Sequence, residues 1–219
     1  MAPKMVLCYV TDRKLLGSSP RAEALLPEIA RVASAGVDWI QIREKDLPAR
    51  ELLDLARRAI AAVPRTTKVL INDRLDVALA SRAAGVHLGA ESLPVTEAVR
   101  WCRAGNAPAE FCIGVSCHAL REAVEAERAG ASYVFFGPIY ETPSKARFGP
   151  PQGSERLAEV CKRVRIPVLA IGGINEENAE ACLRAGAAGI AAIRLFQGTS
   201  NSAALSRIVA RLRKIAAGN

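Results

Sequence analysis

The chain has 219 residues, of which 50% are hydrophobic and 24% charged, with a formal net charge of +8. This is ordinary globular composition, ample for one core and short for two domains of usual size, and it excludes a disordered chain. Aromatics at 5% are too few for a base-stacking surface, the Lys and Arg residues form no basic tail, and no apolar run approaches the roughly 18 residues of a membrane span.

Residues 5–11 (MVLCYVT) are short, apolar and partly β-branched, the pattern of a buried strand. Helical spacing of Ala24, Leu25, Ile29 and Val32 follows over 20–35. A strand at 37–43 (VDWIQIR) precedes a helix at 49–62, a strand at 68–72 (KVLIN) precedes a helix at 75–84, and a short strand at 86–89 precedes a helix at 94–104 opened by Pro94. Strand 111–116, helix 119–129 and strand 132–137 lead into a loop over 137–152 and a helix at 153–164. Strand 167–171, helix 175–185, strand 188–193 and helix 203–217 complete the series.

Eight β-then-α units with no linker between them demand parallel strands joined by crossover helices. Closed on themselves they make an α/β protein of the (β/α)8 TIM-barrel class, a single domain over 1–219. An open doubly wound sheet is the rival arrangement. With so few aromatics, the core is expected to be Ala, Val, Leu and Ile. An internal repeat favours the barrel. Ala-Gly-small recurs at Ala35-Gly36-Val37, Ala84-Gly85-Val86, Ala129-Gly130-Ala131 and Ala185-Gly186-Ala187. Each is predicted to end a helix on a left-handed glycine and turn the chain into the next strand.

The six cysteines, Cys8, Cys102, Cys112, Cys117, Cys161 and Cys182, form no C-x-x-C pair, and residues 1–4 run straight into the first strand. They read as reduced thiols in a protein without a signal peptide, which places it in the cytoplasm. Two His residues argue against a structural zinc site. Most Arg residues fall on predicted helices and read as solvated faces.

Barrel enzymes carry their chemistry at the C-terminal strand ends. Thr11 and Asp12 follow the first strand. At the second, alternation turns Gln41, Arg43 and Lys45 inward, where two cations and an amide suit a polyanion. Asn72 and Asp73 end the third, as phosphate and metal ligands or as a helix cap. His87 lies at the fourth, and Ser116 and His118 at the fifth. The loop after the sixth carries Thr142, Ser144 and Lys145, donors for an anion. Gly172 and Gly173 end the seventh and Arg194 the eighth, the usual place of a barrel phosphate site. The residues alone therefore give two anion sites, with Asp73 as a candidate Mg2+ ligand, and leave the organic substrate open.

The segments YVTDR, QIREKD, INDRLDVALA, GVHLG, IGVSCH, YVFFGPIYETPSK and PVLAIGGI, in that order, resemble the thiamine-phosphate synthase family, with its thiazole tautomerase relatives, along nearly the whole chain. The resemblance implies a TIM-barrel transferase that uses Mg2+. It implies small-molecule partners, hydroxymethylpyrimidine diphosphate and hydroxyethylthiazole phosphate, with neither nucleic acid nor membrane. A homo-oligomer stays open. It also implies a diphosphate site at Gln41, Arg43, Lys45, Asn72 and Lys145, and a magnesium carboxylate at Asp73. Ser116 would lie beside the pyrimidine. Thr142 and Ser144 would hold the thiazole phosphate with backbone groups of Gly173, Ile193 and Arg194.

The implied mechanism is dissociative: pyrophosphate leaves, a pyrimidine methyl cation forms, and the thiazole nitrogen attacks it, with Ser116 and Lys145 as catalytic residues. One motif departs. Where the family usually shows Gln-x-Asp, this chain has Ala90-Glu91-Ser92, so the second metal position holds Ser92, a poorer ligand for a hard cation than a carboxylate. The tautomerase relatives keep a His at the position of His118 for proton transfer, which makes tautomerase the alternative activity. Gln41, Lys45, Asn72 and Asp73 favour the synthase, because a tautomerase has no diphosphate to hold. A non-catalytic barrel that binds a phosphate ligand is the reading of another class.

Overall fold

The computed structural model describes residues 5–17, 21–142, 150–199 and 201–217. Its strands are β1 (Val6–Val10), β2 (Trp39–Ile42), β3 (Lys68–Asn72), β4 (Gly85–Leu88), β5 (Cys112–Cys117), β6 (Tyr133–Phe136), β7 (Val168–Ile171) and β8 (Gly189–Ala192). Each pairs in parallel with its neighbours in chain order, and β8 pairs with β1, so the sheet closes as a barrel. Closure removes both sheet edges and excludes the open doubly wound alternative.

The helices are α1 (Leu25–Ser34), α2 (Ala49–Ala62), α3 (Leu75–Ser81), α4 (Val95–Trp101), α5 (Leu120–Arg128), α6 (Gly153–Arg163), α7 (Ala179–Arg184), α8 (Arg194–Gln197) and α9 (Ser202–Ala217). Their apolar stripes meet the outward side chains of the strands in one continuous layer, with Leu7, Ile40, Ile71, Val86, Val134 and Ile190 facing Ile29, Leu52, Leu55, Ala98 and Leu205. Arg213 of α9 ties this layer to the strands by bonding Gly36 O (3.0 Å) and Asp38 Oδ2 (2.5 Å). No helix among the described residues is long and apolar enough to cross a membrane.

Inside the barrel lie Cys8, Val10, Leu70, Tyr133, Phe135, Leu169 and Ala191, with Trp39 against them. Aliphatic residues dominate the outer layer as expected, with Tyr9, Phe136 and Phe196 buried among them, while Tyr133, Phe135 and Trp39 fill the barrel interior. Inward positions of a closed barrel have fixed volume to fill, and the tilted rings of Tyr133 and Phe135 fill more of it than Ala or Val can.

Three of the four repeated glycines are left-handed, Gly36 (φ 96°), Gly130 (92°) and Gly186 (95°). The fourth is not. α3 stops at Ser81, and Arg82 takes the left-handed position (φ 59°). Gly85 is instead the first residue of β4, where an added Cβ would overlap the Cys112 carbonyl. Close strand approach, not a cap, requires glycine there. Helix α4 continues as a π-helical turn over Cys102–Asn106. Two further departures bear on the site: α7 begins at Ala179 rather than at 175, and a four-residue helix, α8, follows β8 directly.

Candidate active site

The C-terminal strand ends open into a cavity of about 280 Å³, near the lower bound of roughly 300 Å³ for small-molecule sites. Every strand gives it one side chain: Val10, Gln41, Asn72, His87, Ser116, Phe135, Ile171 and Ala192 in order from β1 to β8. The loops add Asp12, Arg43, Glu141, Thr142, Gly172, Gly173, Asn175, Ile193 and Arg194, among others.

On one wall, Gln41 is buried and its Nε2 donates to Asn72 Oδ1 at 3.0 Å. Arg43 follows directly. Its backbone N–H donates to Thr11 Oγ1 (3.0 Å), and that hydroxyl donates to Glu44 Oε1 (2.6 Å). Glu44 also accepts from Arg13, at the backbone N (3.2 Å) and at Nη1 (3.0 Å). Arg13 extends to Asp46 (2.6 and 2.9 Å), and its guanidinium holds that carboxyl below the usual carboxylate range. A buried carboxylate, a hydroxyl and a guanidinium thus lock the β2 end and aim Arg43. Lys45 was expected inward with Gln41 and Arg43, but it is exposed and does not line the cavity. β2 ends at Ile42, and Leu47 N–H bonds back to Glu44 O (3.2 Å), so strand alternation no longer governs position 45.

The opposite wall is backbone. Gly172 (φ 96°) and Gly173 (φ 67°) are both left-handed. A Cβ on Gly172 would lie 2.7 Å from Pro138 Cα, and one on Gly173 2.6 Å from Glu141 O. Segment 139–142 therefore packs directly on this loop, with Tyr140 N–H on Gly172 O (3.0 Å), and brings Thr142 to the cavity rim. Asn178 Nδ2 donates to Gly173 O (2.9 Å), while Asn175 Oδ1 accepts from Glu177 N (2.9 Å) and Asn178 N (3.0 Å). These turns occupy the residues that a longer α7 would have used. Ile193 and Arg194 complete this side at the start of α8.

The floor is aromatic. The His87 ring lies on Phe135 (centroids 4.1 Å apart), with Nδ1 3.1 Å from Tyr133 Oη and Nε2 2.9 Å from Ser116 Oγ. Complete burial pushes the Tyr133 phenol well above its ordinary pKa.

Asp73 and Ser92 do not line this cavity. Asp73 adopts φ 68°, a backbone conformation uncommon outside glycine. It borders an open groove of about 910 Å³ between α3 and α4. Ser92 Oγ accepts from Gly89 N–H at 2.8 Å, so its oxygen serves a turn. Among the described residues no three His, Cys, Asp or Glu side chains converge. Asp73 therefore stands as a single carboxylate beside the cavity, and the rest of a Mg2+ shell would have to come from ligand phosphates and water. This donor set does not fit a site built wholly of protein. His118 borders an adjoining groove between α4 and α5 that shares Ser116 with the cavity; its Nδ1 bonds the Gly137 carbonyl, and its backbone N–H donates to Glu122 Oε2 (2.6 Å). Ser144 and Lys145 lie outside the described residues.

His87 stands at the strand end where the sequence places it, but its bonds to Tyr133 and Ser116, the burial of Glu44 and the Asn175–Asn178 pair were not read from the sequence. The Asn-x-x-Asn spacing beside Gly-Gly was a readable turn signal. A buried Glu44 was not, because strand alternation turns position 44 away from the side of Gln41 and Arg43.

A closed barrel whose strand ends bring a cation and paired amides to one wall of a cavity and a glycine loop to the other defines a small-molecule enzyme of the (β/α)8 class. The chain belongs to the thiamine monophosphate synthase family, which matches residues 7–196. It is 41% identical over 215 residues to the thiamine-phosphate synthase of Moorella thermoacetica, covering 97% of this chain and 96% of that protein. It is 47% identical over 169 residues to that of Methanocella arvoryzae, covering 76% and 77%. Its structure is similar to thiamine phosphate pyrophosphorylase from Pyrococcus furiosus, with TM-score 0.81, 34% identity and 99% and 97% of the two chains covered. It is accordingly an enzyme of the transferase class.

Proposed function

We propose that this chain joins hydroxymethylpyrimidine diphosphate to hydroxyethylthiazole phosphate, releasing thiamine phosphate and pyrophosphate. The observation that carries the reading is the pairing of two unlike anion walls across one cavity: Gln41, Asn72 and Arg43 face the Gly172–Gly173 loop, Thr142 and the β8 end. A tautomerase would need only one such wall.

In this reading the diphosphate lies against Gln41, Arg43 and Asn72, with Lys145 as a further cation and Lys45 outside the lining. The thiazole phosphate meets Thr142, Ser144 and backbone groups of Gly173, Ile193 and Arg194. The bond between the pyrimidine methylene and the diphosphate oxygen breaks, and its electron pair leaves with pyrophosphate. The thiazole nitrogen lone pair then forms the new C–N bond. The attacking nitrogen carries no proton, so no general base is required. The residues act by orienting two substrates and by stabilising the departing anion. Asp73 would hold Mg2+, which when bound neutralises diphosphate charge. We assign residues 1–219 to one barrel domain acting on small molecules in the cytoplasm, in keeping with its six unpaired cysteines.

His118 would be the proton-transfer residue of a tautomerase, yet its ring bonds the Gly137 carbonyl and lies off the cavity lining, which favours the synthase. The test is product formation from the two substrates with Mg2+. Thiamine phosphate should appear only when both are present, and Arg43→Gln should lower kcat/KM for the diphosphate substrate. Turnover of a thiazole carboxylate phosphate alone would overturn the assignment.

A further inference from the structure

Three side chains in the barrel, Tyr133, His87 and Ser116, form a hydrogen-bond chain. Tyr133 is fully enclosed, its ring held against Trp39 (centroids 4.8 Å) and Phe135 (5.4 Å). Gly114 lies directly against it, where any Cβ would overlap the phenol. His87 Nδ1 is the hydrogen-bond partner of the Tyr133 hydroxyl, at 3.1 Å. A buried phenol keeps its proton and must donate it to an acceptor. Nδ1 is therefore the unprotonated ring nitrogen. A neutral imidazole then carries its proton on Nε2, which lies 2.9 Å from Ser116 Oγ. Ser116 accepts that bond, so its own O–H is directed elsewhere, and Ser116 lines the cavity.

We propose that Tyr133 and His87 are positioning residues that set Ser116 as a hydrogen-bond donor toward the substrate. Resting on the synthase reading, this deepens it. A hydroxyl held as donor meets a ring nitrogen of the pyrimidine, an acceptor, and not its exocyclic amino group, a donor. The chain thereby selects the orientation of the ring whose methylene reacts. The opposite tautomer would turn Ser116 into an acceptor and favour the flipped ring.

The chain has only two His residues, so ¹⁵N-histidine labelling reads His87 directly, with His118 as the second signal. The expected spectrum of the intact protein shows the Nε2–H tautomer at His87. Tyr133→Phe removes the enforced donor, and a tautomer mixture should appear. In the same variant kcat/KM for the pyrimidine diphosphate should fall roughly tenfold, the effect of about one hydrogen bond, while KM for the thiazole phosphate stays within about twofold. A merely structural role would change both substrates together. His87→Gln keeps an N–H donor at the Nε2 position and should retain most activity; His87→Phe should not. An Nδ1–H tautomer in the intact protein overturns the proposal, as does a Tyr133→Phe variant with unchanged tautomer and unchanged kcat/KM. If the intact protein makes no thiamine phosphate, the synthase reading fails while the tautomer measurement still decides the hydrogen-bond chain.

Discussion

The Gln41 amide donates to the Asn72 side-chain oxygen at 3.0 Å, although the ladder register pairs Gln41 with Leu70. The stagger of the barrel brings these two residues together diagonally, two positions off register, at the cavity wall beside Arg43. Each amide orients the other, so truncating one releases both. Asn72→Ala should lower kcat/KM for the pyrimidine diphosphate by roughly ten- to a hundredfold, the loss of one or two polar contacts to a charged ligand. Steady-state kinetics with each substrate varied in turn checks this, and KM for the thiazole phosphate should hold nearly constant.

Glu44 is a stability residue next to the site. Its carboxylate is buried and receives bonds from Thr11 and Arg13. Glu44→Ala leaves the Thr11 hydroxyl without its acceptor and the Arg13 guanidinium with Asp46 alone, and should cost about 2 kcal/mol, read as a lower midpoint in urea. Asp46 adds a pH dependence. Its folded pKa is depressed by Arg13, so its contribution is complete above the unfolded value near roughly pH 4 and disappears as pH falls below it. Asp46→Asn should flatten the acid limb of a Tm profile. Asp46 is exposed, so the change should be small.

Much of this architecture was legible in the chain. Helix Ala49–Ala62 and strand Lys68–Asn72 have the bounds their patterns predict, because aliphatic periodicity and Pro48 define them locally. Gly36, Gly130 and Gly186 turn where the repeat places them. Gly85 does not, since its requirement comes from Cys112 on another strand, which no local pattern records. The site divides in the same way. Gln41, Asn72, Ser116 and Gly173 were readable as strand ends. The inward turn of Glu44, the outward one of Lys45 and the Tyr133–His87 contact depend on barrel closure and on where β2 stops.

The Gly172–Gly173 loop has almost no steric slack. Gly173→Ala would place a methyl 2.6 Å from Glu141 O and 2.7 Å from Tyr140 Cβ, at a φ that L residues rarely adopt. Segment 140–142 must move and carry Thr142 with it. KM for the thiazole phosphate should rise at least about tenfold, with diphosphate binding nearly unchanged. Calorimetric titration of each phosphate separately distinguishes the two walls.

His118 separates the two candidate activities. His118→Asn should leave thiamine phosphate formation within about threefold of the original, because His118 lies off the cavity lining. A proton-transfer role would cost on the order of a hundredfold or more. Comparing initial rates at saturating substrates decides between them.

The most direct test of the central claim is to mix the protein with both substrates and Mg2+ and to quantify thiamine phosphate and pyrophosphate together. Equimolar appearance of the two is expected, abolished by EDTA and restored by added Mg2+, with Asp73→Asn requiring more Mg2+ for the same rate. Absence of thiamine phosphate at saturating Mg2+ would contradict that claim.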